Sequence, residues 1–146
     1  MQHRPIPQKP TGAFVGASWT ALFVGAMAFL AGLWNAPTMA LNEKGYYLTL
    51  LLFGLFAAVS LQKSVRDRLE GIKVTGLYFG LCWVALGSAL LLLSVGLWNA
   101  QIAGTEKGFY AMAYLLSLFA AVAVQKNVRD MAAFASDEPT EPPPQA

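Results

Sequence analysis

The sequence predicts an all-α integral membrane protein, a four-helix bundle made of two tandem, parallel two-helix hairpin repeats. Three observations carry this prediction. Hydrophobic residues make up 56% of the 146 residues and charged residues only 12%, whereas charged residues are about a quarter of a typical soluble domain. Four long segments contain no charge, and most motifs occur twice. Because so few charges cannot cover the surface of a soluble domain, the composition fits lipid as the solvent.

Four apolar segments approach or exceed the roughly 20 residues that a helix needs to cross a bilayer. They cover residues 12–34, 45–62, 75–98 and 108–125. The second and fourth are near the short limit, but Lys63 and Lys126 at their ends can extend their ammonium groups to the headgroups. The first segment is longer than the apolar region of a cleaved signal peptide, which has about 7–15 residues. We therefore predict four membrane spans.

The two ends of the chain differ from the spans in composition. Residues 1–10 contain three prolines, and the last eleven residues contain four prolines and three acids. Proline-rich, charged segments bury too little apolar surface to fold. We predict disordered cytoplasmic tails at 1–10 and 132–146, on either side of a first repeat at 11–69 and a second repeat at 70–131.

The two halves of the chain align over most of their length. Residues 11–36 share 11 of 26 residues with 75–100, and residues 43–67 share 15 of 25 with 106–130. The motifs GLWNA, EKG and LFAAV occur once in each half, and QKSVRD is followed 63 residues later by QKNVRD. A two-helix unit returns to the side from which it entered, so its second copy has the same orientation. The match indicates tandem duplication of a hairpin.

The basic residues lie almost entirely on one side of the predicted membrane. Eight lie in the terminal segments and the loop between the repeats, and only Lys44 and Lys107 lie in the loops on the other side. The positive-inside rule places the larger group in the cytoplasm. This predicts a multi-pass plasma-membrane protein with both termini cytoplasmic.

The repeated motifs are similar to those of a known family. The pieces GLWNA, NEKGYY, LFAAVS and QKSVRD, the linker EGIKVT and the second copies resemble the YiaA/YiaB family of small bacterial inner-membrane proteins. The resemblance covers about residues 11–130. It implies a two-helix membrane domain present twice, an inner-membrane location and a link to a stress response. The family has no established biochemical activity, so the resemblance implies no catalytic or ligand-binding residues.

The motif GLWNA supplies the candidate interaction residues on the outer side. Trp34 and Trp98 end the first and third spans, where an aromatic ring anchors a helix at the interface. Asn35 and Asn99 follow and can stop the helix. Anchoring and helix termination account for the motif. The alternative is that these four residues form a docking or ligand site on the outer face.

The loops on the outer side carry a repeated acidic residue. Glu43 and Glu106 begin the second and fourth spans, where a carboxylate opposes the positive end of the helix dipole. Helix capping explains this placement. The alternative is a polar cluster of Glu43, Lys44, Glu106 and Lys107 in which two carboxylates bind a cation.

The repeated hexapeptide supplies the candidate interaction residues on the cytoplasmic side, which are Gln62, Lys63, Arg66, Gln125, Lys126 and Arg129. Basic residues at this boundary attract anionic headgroups, by about 1 kcal/mol each. Lys63–Asp67 and its second copy are also spaced as helical ion pairs. The alternative is a surface for a cytoplasmic partner. A hydrogen bond between Gln62 and Gln125 would satisfy two amides near lipid.

The residues inside the predicted spans argue against catalysis. None is Asp, Glu, Lys, Arg or His, which also argues against an ion-coupled transporter. The only histidine is His3, in the N-terminal tail, so no Cys–His or Ser–His pair is plausible. We predict no enzymatic activity and no cofactor, and the small net charge of +2 gives no reason to expect a nucleic-acid partner. The leading hypothesis is a structural or protein-interaction role, with membrane lipids, a second copy or another membrane protein as partners. The alternative is a small transporter or channel with a path between the hairpins, lined by Ser18, Thr20, Ser88, Asn35 and Asn99.

Overall fold

A computed structural model describes residues 8–138, which form four α-helices and no strand. All four helices are long and apolar enough to cross a membrane, which confirms the predicted all-α membrane fold with its doubled hairpin. The helices are α1 (Gly12–Trp34), α2 (Leu41–Leu69), α3 (Gly76–Asn99) and α4 (Gly104–Asp137).

Equivalent residues start and stop equivalent helices. Thr11 and Thr75 precede α1 and α3, and their hydroxyl oxygens accept hydrogen bonds from the backbone N–H groups of Phe14 at 3.2 Å and Tyr78 at 3.3 Å. Each bond satisfies a donor that the first helical turn leaves free. After α2 the chain reverses at Gly71, whose φ of 77° is a left-handed conformation that glycine adopts without steric cost.

Helices α2 and α4 are longer than a bilayer requires. They have 29 and 34 residues, or about 44 and 51 Å at 1.5 Å per residue, whereas the hydrocarbon core is about 30 Å thick. Their extra turns carry the repeated hexapeptide. We call this end of the bundle, with Lys63, Arg66, Lys126 and Arg129, the basic end. The opposite end, with the loops at 35–40 and 100–103, is the loop end.

The predicted C-terminal tail begins too early. A disordered segment from residue 132 is wrong for residues 132–137, because α4 continues through Asp137. This stretch, AAFASD, is rich in alanine and has no proline before Pro139, so it can extend the helix. The ammonium group of Lys9 lies 5.5 Å from the centre of the Phe134 ring. The remainder of both predicted tails, 1–7 and 139–146, lies outside the described residues.

The two helices of each hairpin are spread apart, and each packs mainly on a helix of the other repeat. Helix α1 packs along α4, α3 packs along α2, and α2 and α4 contact each other in the centre, whereas α1 barely touches α2 and α3 barely touches α4. Exchanging the two repeats superimposes the α1–α4 pair on the α3–α2 pair. The bundle therefore has a pseudo-twofold axis between α2 and α4.

Aromatic rings fill the centre of the bundle. Tyr47 and Tyr110 occupy equivalent positions in the two repeats, and their rings are nearly parallel with centroids 6.4 Å apart. Tyr114 is fully buried, and its hydroxyl donates to the backbone oxygen of Leu50 at 2.9 Å. Gly54 makes room for this ring, because a Cβ there would overlap the Tyr114 hydroxyl. These rings and the buried Phe29 belong to one continuous apolar core.

Candidate functional site

The repeated hexapeptides meet at the basic end and form reciprocal ion pairs. Arg66 Nη2 donates to Asp130 Oδ1, and Arg129 Nη2 lies 2.5 Å from Asp67 Oδ1. Glu70, just after α2, accepts from Arg66 Nε at 2.8 Å and from Arg129 Nη2 at 2.7 Å. We call these five residues the clasp. It joins the ends of α2 and α4 and shows that each hexapeptide binds the other copy.

Burial separates the arginines of the hexapeptide from its lysines. Lys63 and Lys126 each bind the aspartate four residues later at 2.8 Å, which confirms the predicted pairs, but their side chains are 58% and 54% exposed. The Arg66 and Arg129 side chains are only 22% and 20% exposed. The arginines are therefore engaged within the chain, whereas the lysines also face the surroundings.

The clasp lowers the pKa of its carboxyl groups. The hydrogen bond from Lys63 and the contact with Arg129 lower the pKa of Asp67 below its ordinary value of 3.8. The Arg66 hydrogen bond lowers the pKa of Glu70 in the same way. For Asp130, burial opposes ionisation, but the bonds from Lys126 and Arg66 outweigh it and lower the pKa. All three carboxylates are ionised at neutral pH.

A layer of buried polar side chains lies one turn inward from the clasp. Asn127 Nδ2 donates to Ser18 Oγ at 3.2 Å, and the equivalent pair in the other half is Ser64 Oγ and Cys82 Sγ at 3.5 Å. The predicted hydrogen bond between Gln62 and Gln125 is wrong. Gln62 Oε1 is buried without a partner in the described residues.

At the loop end, the GLWNA motif takes the same conformation twice. Trp34 and Trp98 are each 85% exposed. Asn35 Nδ2 donates to Ala31 O, and Asn99 Nδ2 donates to Val95 O, both at 2.8 Å. The asparagines therefore satisfy carbonyl groups at the ends of their own helices, as the helix-stop interpretation predicts, and the tryptophan rings project from the bundle.

The acidic residues of the loop end cap the helices of their own hairpins. Glu43 Oε2 accepts from the backbone N–H of Ala40 at 2.7 Å, and Glu106 Oε2 accepts from that of Ala103 at 2.9 Å. Lys44 Nζ donates to Trp34 O at 3.3 Å, in the hairpin that holds Glu43. Each glutamate is bound to the backbone of its own loop and lines a different recess, which gives the alternative of one cation-binding cluster no support.

Those recesses join motifs from opposite repeats. The first, about 330 Å³, lies between Gly32 and Asn35 of α1 and Glu106 and Tyr110 of α4. The second, about 280 Å³, has the equivalent composition and lies between α3 and α2. At Gly32 a Cβ would lie within 3.0 Å of two aromatic rings, so the glycine of GLWNA permits this close approach. The recesses explain why GLWNA and EKG recur together.

The structure thus brings some predicted site residues together and separates others. The outer set forms two equivalent groups, Trp34 with Asn35 and Trp98 with Asn99. Of the inner set, Arg66 and Arg129 meet in the clasp, whereas Lys63 and Lys126 each pair with an aspartate of their own helix. Gln62 and Gln125 do not bond to each other. Sequence reasoning missed that the aspartates and Glu70 are the partners of the arginines. The signal was present, because each hexapeptide ends in Arg-Asp and the two copies face each other in a duplicated bundle.

Comparison with known proteins agrees with the repeat. The chain matches the yiaA/B two-helix domain at residues 14–67 and again at 78–130. It is 55% identical over 118 residues to the inner membrane protein YiaA of Escherichia coli (strain K12), covering 81% of each chain. It is 36% identical over 67 residues to the uncharacterized membrane protein YubF of Bacillus subtilis (strain 168), covering 46% of this chain and 77% of that protein. No solved structure matches it. The chain therefore belongs to the yiaA/B two-helix domain family and carries that domain twice.

Proposed function

We propose that the chain is a non-catalytic structural or protein-interaction component of the bacterial inner membrane. In this proposal Trp34 and Trp98 contact another membrane protein at the loop end, and Lys63 and Lys126 contact anionic headgroups at the basic end. The supporting observation is the apolar interior, in which the stacked rings of Tyr47 and Tyr110 and the buried Phe29 belong to one continuous core. The flanks of the spans face lipid, so we assign contact with other proteins and with headgroups to the exposed side chains at the two ends of the bundle.

The same interior gives the transporter alternative no support. The polar residues expected to line a path do not share a cavity. Ser18 is buried and donates to the Phe14 carbonyl at 2.8 Å. Asn35 and Asn99 line the two separate recesses of the loop end. A substrate flux through vesicles containing the purified chain, absent from empty vesicles, would overturn our preference for an interaction role.

Orientation is part of the proposal. The basic end carries the clasp arginines and both hexapeptide lysines, so the positive-inside rule places it in the cytoplasm. A test uses Cys82→Ser as background with Gln101→Cys at the loop end or Lys126→Cys at the basic end. We expect an impermeant thiol reagent to label position 101 in cells with a permeabilised outer membrane. Labelling of position 126 alone would reverse the orientation.

The interaction role can be tested by site-specific photo-crosslinking in living cells. A photoreactive amino acid replaces Trp34 or Trp98. The matched controls are Phe56 and Phe119, which occupy equivalent positions in the two repeats and are 72% and 73% exposed on the flanks of the spans. We expect a protein adduct of one defined mass from the tryptophan positions and only lipid adducts from the controls. The same adduct pattern from all four positions would contradict the proposal.

The link to a stress response stays a prediction of the family resemblance. Its test compares growth of a deletion strain and its complemented counterpart under detergent, acid and osmotic stress. Complementation by a Trp34→Ala, Trp98→Ala variant then distinguishes the link to stress from the role of the loop-end surface. If the loop-end surface mediates the role, this variant fails to restore growth, whereas a Phe56→Ala, Phe119→Ala variant succeeds. Equal growth of deletion and wild-type strains would remove the link to stress.

A further inference from the structure

The second hairpin contains an apolar groove of about 680 Å³ that opens on the side of the bundle. It lies between α3 and α4, which barely touch each other. Leu90, Leu97, Ala111 and Leu115 line its walls, and Trp98 and Lys107 lie at its loop end. The volume is within the range of small-molecule sites, about 300–1,000 Å³. It is therefore large enough to hold part of a lipid.

The depth of the groove determines which molecules can reach it. It follows the half of α3 that ends at Trp98 and the half of α4 that begins near Lys107. These half-spans lie in one leaflet, where hydrocarbon chains are the solvent. We propose that the groove binds one phospholipid with an anionic headgroup, with an acyl chain between α3 and α4 and its phosphate at Lys107.

Lys107 has the position and the free donors that a phosphate requires. Its Nζ donates to the Trp98 carbonyl oxygen at 3.2 Å, which holds the ammonium group over the mouth of the groove. A lysine ammonium has three donors, so two remain. The one polar side chain in the wall, Ser94, donates to its own helix at Leu90 O, 2.8 Å away. The groove therefore presents charge at its mouth and hydrocarbon along its length, as a phospholipid does.

The first hairpin provides an internal comparison. There Lys44 makes the same bond to the Trp34 carbonyl, but larger side chains stand at three of the equivalent positions. Where the groove has Leu93, Ser94 and Ala111, the first hairpin has Phe29, Leu30 and Leu48. Phe29 is fully buried and Leu30 packs against the core. The cationic mouth is thus common to both hairpins, whereas the smaller side chains at these three positions belong to the second.

Native mass spectrometry of the purified, delipidated full chain tests the proposal. The probes are phosphatidylglycerol and phosphatidylethanolamine with identical acyl chains. We expect one phosphatidylglycerol per chain at low lipid concentration. The double variant Ser94→Leu, Ala111→Leu gives the groove two first-hairpin residues and should abolish this adduct. Lys107→Gln should weaken phosphatidylglycerol binding about fivefold, the effect of one basic residue at a lipid surface. It should weaken phosphatidylethanolamine binding less, because the ammonium group of that lipid offsets the charge of its phosphate. Lys44→Gln is the matched control and should change neither.

Each result supports or overturns the site. Equal phosphatidylglycerol binding by the wild type and the filled variant would place the lipid elsewhere. Equal effects of Lys44→Gln and Lys107→Gln would reduce the contact to general surface attraction. A dimer that becomes a monomer in the filled variant would assign the groove to a second copy of the chain. Circular dichroism and gel filtration verify that the double variant folds, and if it does not, the two single lysine variants decide the question.

Discussion

The clasp makes a quantitative prediction that separates its arginines from its lysines. Asp130 binds two cations, Arg66 from the other repeat and Lys126 from its own helix. The Arg66 and Asp130 side chains are 22% and 15% exposed, whereas Lys126 is 54% exposed. Exposed helical pairs contribute about 0.3–0.5 kcal/mol, and breaking a buried pair costs about 3–5 kcal/mol. For the half-buried Arg66–Asp130 pair we expect a coupling energy of about 1–2 kcal/mol.

Two double-mutant cycles that share one residue measure this difference. The first combines Arg66→Gln with Asp130→Asn, and the second combines Lys126→Gln with Asp130→Asn. The free energy of unfolding is obtained by titrating sodium dodecyl sulfate into mixed micelles and following tryptophan fluorescence. The cycle removes the cost that each substitution has by itself, including the bond from Arg66 to Glu70, and leaves the pairwise energy.

The shared aspartate makes the comparison internal. We expect the Arg66 cycle to exceed the Lys126 cycle by a factor of two or more, following the burial of the two cations. High salt should reduce the Lys126 coupling more, since exposed pairs are screened more strongly. Equal couplings, or a larger value for Lys126, would refute the conclusion that the hexapeptides hold the two repeats together.

Three further predictions concern stability. The pKa values of Asp67 and Asp130 are lowered from 3.8, so the stability that these two carboxylates contribute is present at pH values above 3.8 and is lost as the pH falls through the lowered values. The free energy of unfolding should therefore decline in acid, and the double variant Asp67→Asn, Asp130→Asn should show a smaller decline. Gly54→Ala should cost about 1–3 kcal/mol in the same titration because its Cβ would overlap Tyr114, whereas Gly80→Ala, with open space around it, should cost nothing; equal effects would contradict the packing. Tyr114→Phe should cost about 0.6–2 kcal/mol, the range for hydrogen bonds in membranes. With carbon-13 in the Leu50 carbonyl, the labelled amide I band should lie at higher frequency in the variant than in the wild type, which would report the lost bond.

The sequence predicted the spans well because membrane insertion depends on summed composition, which a linear chain displays directly. It predicted the ion pair of Lys63 for a similar reason, since its partner is four residues away. It did not predict that α1 packs on α4. That choice depends on how individual side chains fit, such as Gly54 opposite Tyr114, and small residues four apart occur on all the spans. The Arg66–Asp130 contact joins residues 64 apart, so no local pattern indicates it.

The last turns of α4 were missed for a different reason. Proline and acid content predicts a disordered segment only from Pro139 onward, and the family resemblance ends at about residue 130. The residues between, AAFASD, are neither membrane-spanning nor proline-rich. Such short alanine-rich segments extend a helix that already exists, although they would not start one.

The exchange of helices between the hairpins has an evolutionary consequence. Since α1 rests on α4 and α3 on α2, neither half buries its own packing surface, and two separately synthesised hairpins would use this same interface to associate. Fusion into one polypeptide replaces an association that depends on protein concentration with an intramolecular one. It also fixes the stoichiometry and frees the halves to diverge, which is how one half could acquire Tyr114 where the other keeps Leu51.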